Sequence, residues 1–575
     1  MASLNKRTCR GYTYWAIVES KRINGKPRPV VLEYLGTVNN LLKRLKNQYS
    51  VKVRSYSHGA CACLLDIANE LNIVQIINKH VPNKQFRNGL TVGGSLLLAA
   101  LGRVCHPTSK DNWYEGWARH SSLSYILSKN LKKIDSQHFW DQMHELPEQK
   151  ISLIEQEIIK NVLSIENIKL ETLLCDTTNF FTYINTTNVR CHIAKRGKNK
   201  QKRADLRQFG LLLLVSRHHS IPILHKVYTG NLQDKTVFKQ EFSKILNRFE
   251  SIAGSKENIT IVFDQGNNSK IILKNVYNNI KFVGALSPYQ HKSLIQEANI
   301  RIKNNTVNVN NKVVPYYRTK KVIWGINVTV IVYISKKLQD GQIRGLEKDL
   351  SKVYKKLSEL KQNISFPTKR GKRRTVDSLN KRLSSILKSH KSEKLIEYSL
   401  TSGVEDSFNL DFNINYQELE KLKDEWFGRR IIITNRHDWE TKEIISAYWG
   451  QCDVEYAFKN MKNPYHLSIR PQYHWTDQKI QVHSFVCLIG FLLSMVLYKR
   501  TKEKINFKGC PHTLLEKLAN IRLSAIIEKK KEKNKGRLRV KYQLEEMEND
   551  LKKLAQKLNI ERDDYKINIP ISVYK

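Results

Sequence analysis

The chain has 575 residues, of which 41% are hydrophobic and 26% charged, and its 98 Lys and Arg against 53 Asp and Glu give a net charge of +45. That length exceeds a single compact core, the composition excludes a largely disordered chain, and so large a positive surplus would repel itself without a polyanionic partner. Nucleic acid is the first candidate, because the charge recurs along the chain in Lys195–Arg203, Lys369–Arg374 and Lys529–Lys531.

Nine cysteines are scattered without a CxxC pair, and only Cys61 and Cys63 lie close together, so neither a zinc cluster nor a disulfide framework is indicated and a reducing compartment is expected. The N-terminus lacks the apolar core of a signal peptide. The longest apolar run, Phe485 to Tyr498, falls short of the roughly 20 residues that span a bilayer, so a buried helix and no membrane partner are expected.

In chain order, residues 12–35 read as two strands joined through Asn24-Gly25, a hairpin module within 1–55. Apolar spacing then turns helical over 56–165, with Thr91 as an N-cap, and this helical domain is expected to bind DNA. A short strand ends in Leu173-Leu174-Cys175-Asp176. Two more strands follow at 209–215 and 221–228, and a fourth, Ile259 to Phe263, stops at Asp264. Strands alternating with helices predict an α/β fold around a mixed sheet, begun in 166–289. Residues 290–435 depart from that rhythm and read as a β-rich insertion, which also carries a heptad-spaced helix at Leu346, Leu350, Val353, Leu357 and Leu360. The α/β texture returns at 430–434, with one helix predicted over 439–462 and another over 477–500, both in the second part of the core at 436–505. Residues 506–575 read as a basic helical region.

Asp176 and Asp264 both follow apolar runs, where open α/β sheets place their ligand sites. A lone strand-end Asp is more often a turn former or helix cap. The third feature is the helix that Asp438 can cap and Asn463-Pro464 ends. At about 100° per residue, Tyr448, Gln451, Glu455, Lys459 and Lys462 share a stripe beside an apolar face of Ala447, Val454, Ala457, Phe458 and Met461.

The order Tyr448-x2-Gln451-x3-Glu455-x6-Lys462 resembles the Y-x2-R-x3-E-x6-K signature of DDE-type insertion-sequence transposases, specifically the insertion-sequence-four superfamily. Gln451 stands where that family usually has Arg. The resemblance continues in Asp264-Gln265-Gly266-Asn267-Asn268-Ser269 and Ile469-Arg470-Pro471-Gln472-Tyr473-His474-Trp475, and covers roughly 10–500. It implies a ribonuclease H-like mixed-sheet core interrupted by a β-rich insertion and preceded by a helical domain. It also implies a catalytic and metal-binding triad of Asp176, Asp264 and Glu455, loaded with Mg²⁺ for which Mn²⁺ substitutes. Tyr448, Gln451 and Lys462 would contact DNA, with Lys195, Arg196 and Arg470 extending the grip. The partners implied are double-stranded DNA, both element ends and target, and a second copy of the chain in a synaptic homodimer, in a prokaryotic cytoplasm near the nucleoid. A stand-alone metal nuclease on the same core, or a DNA-binding protein that has lost catalysis, would share many of these features.

Overall fold

The computed structural model describes residues 2–9, 11–23, 26–46, 51–81, 87–199, 201–253, 258–264, 270–367, 374–389, 392–404, 407–469, 472–528 and 540–561. The chain divides into two compact units. One comprises Met1–Asn78, Asn83–Gln142 and Leu497–Lys575, the other Lys79–Pro82 and Met143–Val496.

In the first unit the N-terminal module is a three-stranded antiparallel sheet rather than a hairpin, because Ala2–Cys9 pairs with Tyr12–Ile23, which pairs in turn with Lys26–Thr37. Its expected turn at Asn24-Gly25 lies outside the described residues. Thr91 caps the helix Val92–Cys105 as predicted, its side chain accepting from the Gly94 amide at 3.0 Å. The C-terminal region is not purely helical. Arg522–Glu528 pairs with both Val540–Leu544 and Val51–Ser57, so the last segment completes a sheet begun near residue 51.

The second unit is mixed α/β, built on one nine-stranded sheet. Its strands are β1 (Thr172–Thr182), β2 (Arg207–Ser216), β3 (Pro222–Thr229), β4 (Thr260–Phe263), β5 (Lys281–Leu286), β6 (Thr306–Val309), β7 (Lys312–Ile323), β8 (Ile326–Ile334) and β9 (Arg429–Thr434). They lie in the order β6-β7-β8-β9-β5-β4-β1-β2-β3. β4 is parallel to β1 and to β5, and the other pairings are antiparallel. Near-continuous apolar runs such as Leu211–Val215 and Ile431–Ile433 suit strands covered on both faces, and these residues are buried.

The segment read as a β-rich insertion therefore divides. Its strands β6 to β9 extend the main sheet, while α3 (Lys336–Ile364) packs with the helices Val376–Ser389 and Tyr416–Trp426 and the hairpin Ile396–Ser402/Phe408–Ile414 around a second core. The heptad positions Leu350, Val353, Leu357 and Leu360 are its buried seam, with Leu346 packed against it. Earlier in the unit, α1 (Asp234–Ala253) and α2 (Lys270–Asn279) flank β4 in sequence.

The helix predicted over 439–462 is two helices. α4 (Thr441–Trp449) begins with a capping box between Glu440 and Glu443, not at Asp438, and α5 (Gln451–Lys462) follows after Gly450 and ends at Asn463 as expected. The apolar run Phe485–Tyr498 lies within the helix Asp477–Ile505, which by length and composition could cross a membrane. An 18-residue stretch of it is 94% buried inside the protein, so burial, not shortness, accounts for its apolar character.

Candidate active site

Asp176 is not the last residue of its strand, as the sequence suggests, but sits inside β1, opposite Leu213 of β2. Thr177, Thr178, Phe180 and Phe181 are β-branched or aromatic, types enriched in strands, and they carry β1 past the carboxylate. It is β4 that ends there. The parallel register pairs Cys175 with Phe263, so the next residues on the two neighbouring chains are Asp176 and Asp264. Neighbouring strands run roughly 4.8 Å apart, which brings both carboxylates to one step of the sheet.

Glu455 reaches the same place from the second turn of α5. The apolar face of that helix, Val454, Ala457, Phe458 and Met461, is buried together with Ala447 of α4, as the periodicity predicts. Gly450 lets the helix junction approach β1 closely, since a Cβ there would lie 3.3 Å from Leu174 Cδ2. The outcome is a cavity of about 1200 Å³ whose wall includes Asp176, Asp264 and Glu455 together with Tyr448 and Gln451.

The three carboxylates share the cavity without closing on one point. Among the described residues, no three His, Cys, Asp or Glu side chains are grouped so as to hold a metal ion. Asp264 and Glu455 are exposed and Asp176 is half-buried, so all three can be reached from the cavity, and oxygen donors of this kind suit a hard divalent cation.

Tyr448 has a different place from the one expected. It is only 6% exposed, and its hydroxyl donates to Asp264 Oδ1 at 2.9 Å. Burial and then the Asp264 charge hold the phenol far above its ordinary pKa, so it stays a neutral donor. Arg430 of β9 donates from Nη1 to the Tyr448 hydroxyl at 3.2 Å, with its guanidinium 5.9 Å from the ring centroid. Beside it, Trp449 Nε1 donates to the hydroxyl of the buried Tyr333 at 3.1 Å.

Gln451 turns its Nε2 into a buried position with no hydrogen-bond partner among the described residues. Lys462 does not line the cavity. It lies along β1, its ammonium bonded to Thr178 Oγ1 and 5.3 Å from the Phe180 ring centroid. Thr178 is two residues beyond Asp176 and on the same face of the strand.

Lys195 and Arg196 are exposed on a strap that pairs with β2 through the Lys195 amide and the Gln208 carbonyl at 3.0 Å, and neither belongs to the cavity wall. Arg470 lies outside the described residues, as do Gln265 to Ser269, Pro471 and most of the basic runs at 369–374 and 529–531.

Sequence reading passed over the cationic part of the wall, which is formed by Lys312, Lys336, Lys337, Arg344 and Arg430, with Asp340 among them. One signal for it was available. Lys336 and Lys337 occupy the first turn of a 29-residue helix that has no acidic residue there, an end of the helix dipole that disfavours cations.

No family model matches this chain, and no curated protein matches its sequence. Among solved structures, a piggyBac transposase synaptic complex with hairpin DNA is similar to it over 80% of this chain and 79% of that chain, at 9% sequence identity and a TM-score of 0.36.

Proposed function

We propose that this chain is a DNA transposase that binds the terminal inverted repeats of an insertion sequence and catalyses divalent-metal-dependent strand cleavage and strand transfer. The observation that carries the reading is that Asp176, Asp264 and Glu455, far apart in sequence, line one cavity. The order β3-β2-β1-β4-β5, antiparallel through β1 and parallel from β1 to β5, supports a ribonuclease H-like core.

Asp176, Asp264 and Glu455 would hold Mg²⁺, or Mn²⁺ in its place, and the bound cation would supply the positive charge that phosphodiester cleavage and transfer call for. The remaining work belongs to the protein. Asp176 is fixed by the ladder of β1, Asp264 by its bond from Tyr448, and Glu455 stands on a helix whose apolar face is docked against buried core. Lys312, Lys337 and Arg344 offer phosphate partners on the same wall, and Lys462 offers one farther along β1. A homodimer in the synaptic complex and a prokaryotic, nucleoid-associated location go with this reading.

The test uses the purified full chain with duplex DNA carrying candidate element ends, with and without Mg²⁺. Metal-dependent nicking at the element boundary followed by joining to target DNA is expected. Nicking without joining would favour a stand-alone nuclease, and no metal-dependent cleavage of any duplex would overturn the proposal.

A further inference from the structure

Asp264 follows the last residue of β4 and is exposed, so neither a strand ladder nor burial fixes its carboxylate. Its orientation has to come from a bond made by another element. Tyr448 makes that bond at 2.9 Å from the last turn of α4, and the direction of the bonds around it follows from elementary valence. An arginine has no acceptor, so at 3.2 Å Arg430 must donate to the phenol oxygen. The phenol has one proton, and with its oxygen accepting from Arg430 that proton is left for Asp264 Oδ1.

The chain of donors therefore runs one way, from guanidinium to phenol to carboxylate, and each bond polarises the next. Tyr448 is not placed to grip DNA, because its side chain is buried, its ring packs near Arg430 and its hydroxyl is already engaged. Its neighbour Trp449 is bonded to Tyr333, which anchors the end of α4 on β8.

We propose that Tyr448 and Arg430 are positioning residues that aim the Asp264 carboxylate into the cavity, leaving its second oxygen for a cation. Resting on the transposase reading given above, this replaces the expectation that Tyr448 contacts a DNA phosphate. It also assigns a function to Arg430, which stands outside the signature that marks Tyr448 and Glu455. Groups that orient a metal ligand typically change metal affinity or activity by about ten- to a hundredfold when removed.

The test compares the wild-type chain with Tyr448→Phe, Arg430→Met and Arg430→Lys by three measurements. These are Mn²⁺ binding by calorimetry without DNA, duplex binding in a metal-free buffer, and thermal unfolding. The relay predicts that Tyr448→Phe weakens Mn²⁺ binding by about tenfold or more while duplex binding and unfolding stay near wild type. Arg430→Met should show part of the same loss, and Arg430→Lys, which keeps a cationic donor, should recover some of it. Wild-type Mn²⁺ affinity in Tyr448→Phe, or a loss confined to duplex binding, would overturn the relay while leaving the transposase reading intact. A wild-type chain that binds no Mn²⁺ and nicks no duplex would overturn both.

Discussion

Strands β1 and β4 and strands β7 to β9 belong to one sheet, yet they bring opposite charges to the same cavity. The first group carries Asp176 and Asp264 on or beside backbone fixed by parallel pairing. The second group, with the start of α3, carries Lys312, Lys336, Lys337, Arg344 and Arg430, mostly on long exposed side chains. The difference matches what phosphodiester chemistry asks of each. Groups that hold the reacting centre must be fixed to a fraction of an ångström, whereas groups that hold the phosphate backbone need charge more than exact placement. A polyanion in this cavity would neutralise one wall and be held off by the other until a cation joined the carboxylates.

The largest effect expected is on the acidic side. Asp176→Asn, Asp264→Asn and Glu455→Gln keep the shape of the side chain and remove its charge, so each should lower metal-dependent cleavage by on the order of a thousandfold or more. Duplex binding should persist, slightly tighter, because a negative charge beside phosphate has gone. A double variant should be scarcely worse than a single one, since residues acting as one unit are not additive. Cleavage retained by one of the three would remove that residue from the site.

On the cationic side the expected effect is on binding. Lys337→Ala and Arg344→Ala together should weaken duplex affinity and lower the log–log salt slope by about 0.9 for each phosphate that is no longer neutralised, with Mn²⁺ affinity unchanged. An unaltered slope would show that this wall faces solvent in the complex and that the asymmetry between the two strand groups has no part in DNA binding.

Lys462 sits between the two groups in character, a cation that lies on the acidic strand. Part of its bonding is committed to Thr178 and Phe180 of β1. Lys462→Ala should therefore reduce end binding or cleavage by about tenfold while metal affinity survives, because an ammonium is a poor metal ligand and a good phosphate partner. Loss of metal binding with intact end binding would overturn that assignment.

The acidic side was legible in the sequence because each of its parts leaves a periodic trace. Two apolar runs stop at Asp, and a 3.6-residue pattern puts Glu455 beside a buried face. The cationic side leaves none. In a chain with 98 Lys and Arg, a lysine at 312 or an arginine at 344 has no distinguishing context until β7 and β8 join the sheet. The strand expected from Arg430 begins one residue earlier, at Arg429, and alternation sends the two arginines opposite ways. Arg429 is buried and donates to the Phe427 carbonyl at 2.8 Å, while Arg430 faces the cavity. The run of Thr and Phe after Asp176 could have shown that β1 continues past the carboxylate. The break between α4 and α5 could not be read this way, since Gly450 at φ −57° keeps a helical φ that carries no turn signal.

That junction supplies the smallest expected effect and the finest test of how the acidic side is held. The backbone of Gly450 suits any residue, so Gly450→Ala introduces no strain in φ and gains about 0.4–1 kcal/mol by restricting the unfolded chain. What it adds is one methyl group, 3.0 Å from the Ala447 carbonyl oxygen, 3.3 Å from Leu174 Cδ2 and 3.5 Å from Arg217 Cγ. Leu174 is fully buried on β1, two residues before Asp176, so the crowding is relieved by a shift of a few tenths of an ångström in a close-packed region. The two contributions to stability offset each other, and the thermal midpoint should move little. The same shift lies on the path between β1 and α5, and so between Asp176 and Glu455. Cleavage should therefore fall by about threefold with stability nearly constant, in line with the steep cost of small misplacements at a reacting centre. Equal losses of both would point to a general loosening of the core, and unchanged cleavage would mean that the spacing of β1 and α5 does not set the geometry of the site.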